Sequence, residues 1–266
     1  MTDFHLKTTF NTEAALYHAS RPRYPAILFD TIIQQTQLDD HARLLEIAPG
    51  TGQATEAMAK RGYDITAVEL GDELAKIARE ALQPYPTVNI INAPFETVDL
   101  PAEAFDLVYV ATALHWIDLE SRFCKPHHLL KSGGHMAIIG TTHVSDEEGD
   151  VFSNASQPIY KKYDPGEKYR DDFQLPRLSE LKSYDYDTDR FTLVYFHAFR
   201  HIIDYSASEF ARLLNTHSNV IATPTDRRTG FLSAIEDLIR TEFDDHLRIH
   251  YGMWLMILQK IPTSHE

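Results

Sequence analysis

Apolar and polar positions fall into a repeating order from residue 42 onward. Ala42 to Ile47 is a short, almost continuous apolar run, the pattern of a strand covered on both faces. Gln53 to Lys60 follows with helical spacing, and Gly62 is placed to stop it. Asp64 to Leu70 predicts a second strand. Asp72 is expected to cap a helix over Glu73 to Leu82. Val88 to Asn92 and Phe105 to Thr112 predict two more strands. A helix over about Leu119 to Lys131 is expected to be interrupted or restarted at Pro126. Ser132-Gly133-Gly134 then turns into a strand over His135 to Thr141. Strands alternating with helices argue for a parallel sheet with helices on both faces.

Flanking segments read differently. Asn11 to about Leu38 looks helical, with Asn11 or Thr12 as cap and a break at Arg21-Pro22-Arg23-Tyr24-Pro25. A second helix is expected from near Pro25, since proline suits a first turn. From Ser145 to about Asp189 the chain is polar, aromatic and acidic without clear period, and reads as an inserted lid. Phe191 to Phe199 predicts a strand. Ser206 to Thr216 predicts a helix with Ser206 or Ser208 as cap and Glu209 set for a capping box. Thr225 or Asp226 to Phe243 predicts a longer helix, and His250 to Leu258 a final strand. The expected fold is α/β, a Rossmann-like doubly wound sheet of seven mostly parallel strands with an antiparallel last strand. One domain over 1–266 is expected to divide into an N-terminal helical lid (1–40), a cofactor-binding core (41–142), an inserted cap (143–190) and a segment completing the sheet (191–266).

Composition narrows the class. The 266 residues are 43% hydrophobic and 24% charged, ordinary for a globular chain. A net charge of −14 argues against nonspecific binding to nucleic acid or anionic membranes. One cysteine, Cys124, excludes an intrachain disulfide and a Cys-pair zinc site. The first residues carry no apolar leader, and no apolar run reaches the about 20 residues that span a bilayer. A cytoplasmic protein, monomeric or homodimeric, is expected.

The informative motif is Glu46-Ile47-Ala48-Pro49-Gly50-Thr51-Gly52, at the junction of a strand and a helix, with Glu69 ending the next strand. A dinucleotide fingerprint would need a third glycine where Thr55 stands, and a phosphate loop would need Gly-Lys-Ser/Thr. A carboxylate at Glu69 suits both hydroxyls of a ribose. Glu46 ahead of the turn would repel a pyrophosphate and favour a cofactor that carries an ammonium and a sulfonium.

On these residues the chain resembles the class I S-adenosylmethionine-dependent methyltransferases. Val68-Glu69-Leu70 resembles the ribose-binding strand end, Ala93-Pro94-Phe95-Glu96 the adenine-side loop, Phe105 to Val110 the fourth strand, and Leu130-Lys131-Ser132-Gly133-Gly134 the turn before the fifth. Ala111-Thr112-Ala113-Leu114-His115-Trp116-Ile117-Asp118 resembles a string of small-molecule methyltransferases related to the trans-aconitate and quinone-biosynthesis enzymes, as does Tyr17 to Pro25. Ala48 replaces the family's first glycine, which a negative φ would accommodate. The resemblance implies S-adenosylmethionine as cofactor. It would be held by Tyr17, Arg21, Glu46, Ala48, Gly50, Thr51, Gly52, Glu69, Leu70, Ala93, Pro94, Phe95, Glu96, Ala111 and Thr112, with Arg21 pairing the cofactor's carboxylate.

For the acceptor, His115 and Trp116 follow the fourth strand, and His115 is the candidate base or hydrogen-bond donor; the alternative is that both only shape the loop. Lys161, Lys162, Lys168 and Arg170 form a basic cluster that would draw in an anionic or carboxylate-bearing small molecule, or is simply a solvated run. Tyr160 and Tyr163 would cover an organic substrate or pack the cap. His197 and His201 read as strand, with no third ligand in reach, so no metal is expected. Competing readings are a catalytically silent binder of an adenosyl cofactor and an NAD-type oxidoreductase.

Overall fold

The computed structural model describes residues 14–146, 148–167 and 169–262. Its strands are β1 (Arg43–Ile47), β2 (Asp64–Glu69), β3 (Val88–Asn92), β4 (Phe105–Ala111), β5 (Leu130–His143), β6 (Phe191–Tyr205) and β7 (Leu247–Lys260). They form one sheet of order β3-β2-β1-β4-β5-β7-β6. The pairings from β3 to β5 are parallel, and the last strands are antiparallel. The order reverses at β1, which lies between β2 and β4; crevices that receive ligands open at such a point, outside the carboxyl ends of the strands. Leu44, Leu45 and Ile47 of β1 and Leu107, Val108 and Val110 of β4 have no measurable exposure, which is why these strands read as unbroken apolar runs.

The helices are α1 (Ala14–Ser20), α2 (Ala26–Thr36), α3 (Gln53–Ala59), α4 (Asp72–Ala81), α5 (Leu119–Leu129), α6 (Val151–Tyr163), α7 (Ala207–Leu214), α8 (Ser218–Ile221) and α9 (Thr225–Glu242). The predicted capping box is formed: Ser206 Oγ accepts from Glu209 N at 3.3 Å, and Glu209 Oε2 accepts from Ser206 N at 2.8 Å. The caps expected at Asn11 or Thr12 lie outside the described residues.

Four local expectations are corrected. Asp72 is the first residue of α4 rather than its cap, which is Gly71 with no side-chain bond. Pro126 sits inside an unbroken α5; it is buried, and its packing compensates for the helix bond its missing N–H cannot make. β5 begins at Leu130, opposite Phe105, and Gly133 (φ 76°) lies in an irregularity of the strand rather than in a turn before it. The lid contains α6, which carries Pro158 internally and whose mixed polar and aromatic sequence hides the helical period. The short α8 lies in a stretch to which the sequence assigned no element.

Two compact units make up the chain. A core unit comprises Arg23–Thr141, Lys182–Ala198 and the chain from Met253; a cap unit comprises the chain up to Pro22, Thr142–Leu181 and Phe199–Gly252. Inside the cap, Phe152 of α6 meets Phe210 of α7 edge-on at 5.4 Å and Phe243 at 5.6 Å. Inside the core, Gly140 of β5 has no side chain because the Trp254 indole of β7 fills that space. We expect Gly140→Ala to destabilise the protein by about 1–3 kcal/mol, since the added Cβ overlaps the indole and neither strand can retreat. Urea unfolding measures this, and an unchanged midpoint would show that the indole lies elsewhere.

Candidate active site

The chain leaves β1 through a turn that repeatedly takes left-handed backbone. Ala48 has φ 52°, Gly50 φ 60° and Gly52 φ 87°. Ala48 N donates to Val68 O at 2.9 Å, which fixes the turn against β2. The negative φ expected of Ala48 is therefore corrected: it adopts the conformation for which a glycine is suited, at a cost of about 1–2 kcal/mol for a residue with a Cβ. Gly52 cannot be replaced in the same way, because a Cβ there would lie 2.8 Å from Leu82 Cδ1.

Glu69, at the end of β2, holds this turn. Its Oε2 accepts from Gly50 N and its Oε1 from Gly71 N, each at 2.8 Å. Burial raises its pKa, and the Gly71, Gly50 and Leu70 N–H groups pull it back. Of the carboxylate's four lone-pair sites at least one stays open after these bonds. Asn92, at the end of β3, donates to Glu69 O at 2.9 Å and Leu70 O at 3.2 Å.

Glu46 lies deeper. It is 1% exposed and accepts from Tyr109 O–H at 2.7 Å, its register partner on β4. Burial is the main cause raising its pKa to about 7; the neighbouring Thr55 and Tyr109 hydroxyls oppose this, and the Glu69 charge adds to it. Thr51 Oγ1 and Thr55 Oγ1 are buried outside hydrogen-bond geometry, although the Thr55 hydroxyl lies close enough to act on the Glu46 carboxyl. A glycine turn, two carboxyls and two unsatisfied hydroxyls thus converge at the reversal of strand order. Unsatisfied buried polar atoms are uncommon, and here they supply the donors and acceptors that a polar ligand would use.

The other predicted residues of the core unit border this place in sequence or contact. Ala93 N donates to Glu69 O at 3.0 Å. Phe95 is 3% exposed and belongs to the hydrophobic core, so it supports its loop from below. Ala111 ends β4, and Thr112 (φ 56°) shares a 2.9 Å hydrogen bond with Tyr24 O–H. His115 is exposed, with its ring centroid 4.6 Å from that of Trp116.

Two cations on one face of α5 fix the loops that carry these residues. Arg122 is 9% exposed and donates to His115 O at 3.3 Å, Ile117 O at 2.9 Å and Tyr184 O–H at 2.9 Å. Lys125, one turn on, donates to Glu96 O at 3.3 Å and to Val98 O, and its Nζ lies 5.3 Å from the Phe95 ring centroid. The i,i+3 spacing that puts them on one face is visible in the sequence, but the loops they reach are not. Asn92, Tyr109 and Tyr184 were likewise not singled out there, and Thr55 was noted only as the residue in place of a third glycine.

Tyr17 and Arg21 belong to the cap unit, where the Arg21 guanidinium lies over the Tyr17 ring at 4.9 Å and donates to Thr216 O at 2.9 Å. Tyr160 and Tyr163 of α6 pack on Phe231 of α9 at 5.1 and 6.4 Å, and burial raises the Tyr160 phenol to about 12. Both therefore serve the helix packing of the cap. Lys161 pairs with Asp171 at 2.8 Å, Lys162 covers the Tyr163 ring, and Lys168 lies outside the described residues. Among the described residues no group of three His, Cys, Asp or Glu is placed to hold a metal.

Comparison with known proteins identifies the family. Residues 45–138 match the methyltransferase domain family. The chain is 30% identical, over 96% of its length and 97% of the relative's, to the uncharacterized methyltransferase-like protein C25B8.10 of Schizosaccharomyces pombe. Among solved structures it superposes with TM-score 0.60 and 20% identity on a provisionally assigned type II methyltransferase from Anaeromyxobacter dehalogenans, covering 90% of this chain and 97% of that one. It superposes with TM-score 0.53 and 16% identity on the [4+2]-cyclase SpnF, covering 92% and 85%. The chain belongs to the class I S-adenosylmethionine-dependent methyltransferases. Among the described residues no helix is long and apolar enough to cross a membrane.

The buried Glu46 makes stability depend on pH with a definite sign. A folded pKa of about 7 against an ordinary 4.5 means that the folded chain keeps a proton which the unfolded chain releases. Stability from this group is full below the lower value and is lost as pH rises through the upper one, by about 3 kcal/mol in all. We expect Glu46→Gln to flatten this decline in urea titrations across that window. Identical slopes in the two proteins would show that Glu46 ionises normally.

Proposed function

We propose that the protein transfers a methyl group from S-adenosylmethionine to a small-molecule acceptor by in-line displacement. The observation that carries this is the Glu69 carboxylate: buried, anchored by Gly50 N and Gly71 N, and set beside the unsatisfied Thr51 and Thr55 hydroxyls. Glu69 would hold the ribose hydroxyls, the Ala93–Glu96 loop the adenine, and the Ala48–Gly52 turn with Thr51 and Glu46 the methionine part. Bound S-adenosylmethionine supplies an electrophilic methyl on a sulfonium leaving group. The protein's share is to hold the acceptor in line and exclude water, and positioning of this kind lowers a barrier by about 7–11 kcal/mol. Thr55 at 0% exposure stands where a dinucleotide site has its third glycine, which supports an adenosyl cofactor over NAD.

A net charge of −14 favours a small molecule over nucleic acid as acceptor. A phenol, amine or carbon acid must lose a proton, and exposed His115, just past β4, is the candidate base. A carboxylate acceptor needs no base.

Thermal unfolding with S-adenosylhomocysteine, S-adenosylmethionine, NAD and NADP in parallel tests the cofactor. A ligand at 100 times its Kd adds about 2.7 kcal/mol to stability, so an adenosyl-specific rise is expected. A rise with NAD or NADP alone would overturn the reading. Glu69→Ala is expected to weaken S-adenosylhomocysteine at least about tenfold by calorimetry, because two partly buried N–H groups and the ribose hydroxyls lose their acceptor together. Unchanged affinity would remove the ribose assignment. His115→Ala separates acceptor chemistries. Turnover reduced about 10²–10⁴-fold with cofactor affinity intact supports a base, whereas normal turnover assigns the acceptor to the class that needs none.

A further inference from the structure

One buried polar pair of the core unit is not required by the fold. Glu46 of β1 and Tyr109 of β4 are register partners, 1% and 0% exposed, and the Tyr109 O–H donates to Glu46 Oε2 at 2.7 Å. Two apolar side chains would pack there without the desolvation that both groups suffer. Glu46 stands two residues ahead of Ala48, whose left-handed backbone opens the glycine turn.

The groups that act on Glu46 come from each neighbouring element. Tyr109 belongs to β4, the Thr55 hydroxyl to α3, and the Glu69 charge to the end of β2, where Ala67 is the register partner on that side. None of them is basic. Glu56, next to Thr55 on α3, pairs instead with Arg23 at 2.8 Å and Lys60 at 3.0 Å. An arginine or lysine partner would keep Glu46 ionised and cancel its charge. A phenol supports the ionised form through a hydrogen bond and leaves the charge unanswered. The Tyr109 phenol keeps its own proton, because burial and then the Glu46 charge hold it well above the usual phenol range. Two hydroxyls fill at most two of the four lone-pair sites of a carboxylate, so an ionised Glu46 can still accept from a cation.

We propose that Tyr109 is a positioning residue of the cofactor site, holding the Glu46 carboxylate for a cationic group of the bound ligand. The identity of that ligand rests on the methyl-transfer reading. Two groups of S-adenosylmethionine share the chemistry: the ammonium, which S-adenosylhomocysteine also carries, and the sulfonium, which it lacks. Either would release the proton of Glu46 on binding. With the free carboxyl titrating near 7, affinity for such a cation rises with pH through that region and levels off above it.

The test is calorimetry of S-adenosylmethionine, S-adenosylhomocysteine and 5′-methylthioadenosine, which carries neither cation, from about pH 6 to about pH 7.5. It compares wild type, Tyr109→Phe and Glu46→Gln. In wild type, affinity for S-adenosylmethionine is expected to rise about fivefold or more over that range, with 5′-methylthioadenosine unchanged. Tyr109→Phe deletes only the hydroxyl. It is expected to bind S-adenosylmethionine about fivefold more weakly than wild type near pH 7 and to converge with it at higher pH. Glu46→Gln is expected to remove the pH dependence. If S-adenosylhomocysteine shows the same rise, the cation is the ammonium; if it stays level like 5′-methylthioadenosine, the cation is the sulfonium. Urea titration reads the pair without ligand: in Tyr109→Phe the loss of stability with rising pH is expected to run to higher pH. Wild-type and Tyr109→Phe binding curves that coincide, or that differ by the same factor at every pH as packing alone would make them, overturn the role of Tyr109 and leave the methyl-transfer reading intact. No binding by any of the three compounds overturns that reading, and the cationic ligand proposed for Glu46 with it.

Discussion

The Glu69 carboxylate is the interaction on which the rest of the site depends. One side chain joins the turn after β1 to the turn after β2 by accepting from Gly50 N and Gly71 N at 2.8 Å each. Both donors belong to turns, where no ladder satisfies them, and a charged acceptor forms the stronger class of hydrogen bond. The bond is available only because β1 and β2 are parallel and end level with each other, Ile47 opposite Val68. A slip of one residue in that register would send the Glu69 side chain to the other face of the sheet and leave both N–H groups unpaired.

Around this anchor the molecule tolerates several local costs. Ala48 occupies left-handed backbone, Glu46 is buried with Tyr109 as a neutral partner, and two threonine hydroxyls are unsatisfied. None of these improves folding, and all lie within one short stretch. Such concentration is expected where structure serves a ligand, with the compensation provided by the wholly apolar interior of β1 and β4. Glu46 also shows how burial changes a role read from charge alone. With its pKa raised to about 7 by burial it holds its proton to higher pH than an exposed glutamate, and an arriving cation would draw it toward the ionised form.

Sequence made the core legible for a physical reason. Two-sided burial turns β1 and β4 into apolar runs, and the alternation of strands and helices determines the sheet. Ser206 and Glu209 were readable because a capping box is a local interaction. What escaped was non-local or masked by local signals. The Glu46–Tyr109 pair needs the β1–β4 register, and Ala48 gives no sign of its φ. Pro126 implies a break that its buried packing prevents, and Pro158 sits exposed inside an unbroken α6.

The fold does not name the acceptor, and a likeness to a [4+2]-cyclase illustrates how far chemistry diverges on one architecture. The α5 cations suggest how such divergence is accommodated. Arg122 and Lys125 grip backbone carbonyls of the His115–Ile117 and Glu96–Val98 segments rather than their side chains. The path of each loop is thereby fixed whatever residue it displays. His115 is exposed on a backbone that the buried Arg122 holds in place. Replacing a displayed side chain would leave the carbonyls that position it in place. The glycine turn has the opposite logic: its contribution resides in its backbone, and at Gly52 (φ 87°) a Cβ would be strained and would crowd the end of Leu82.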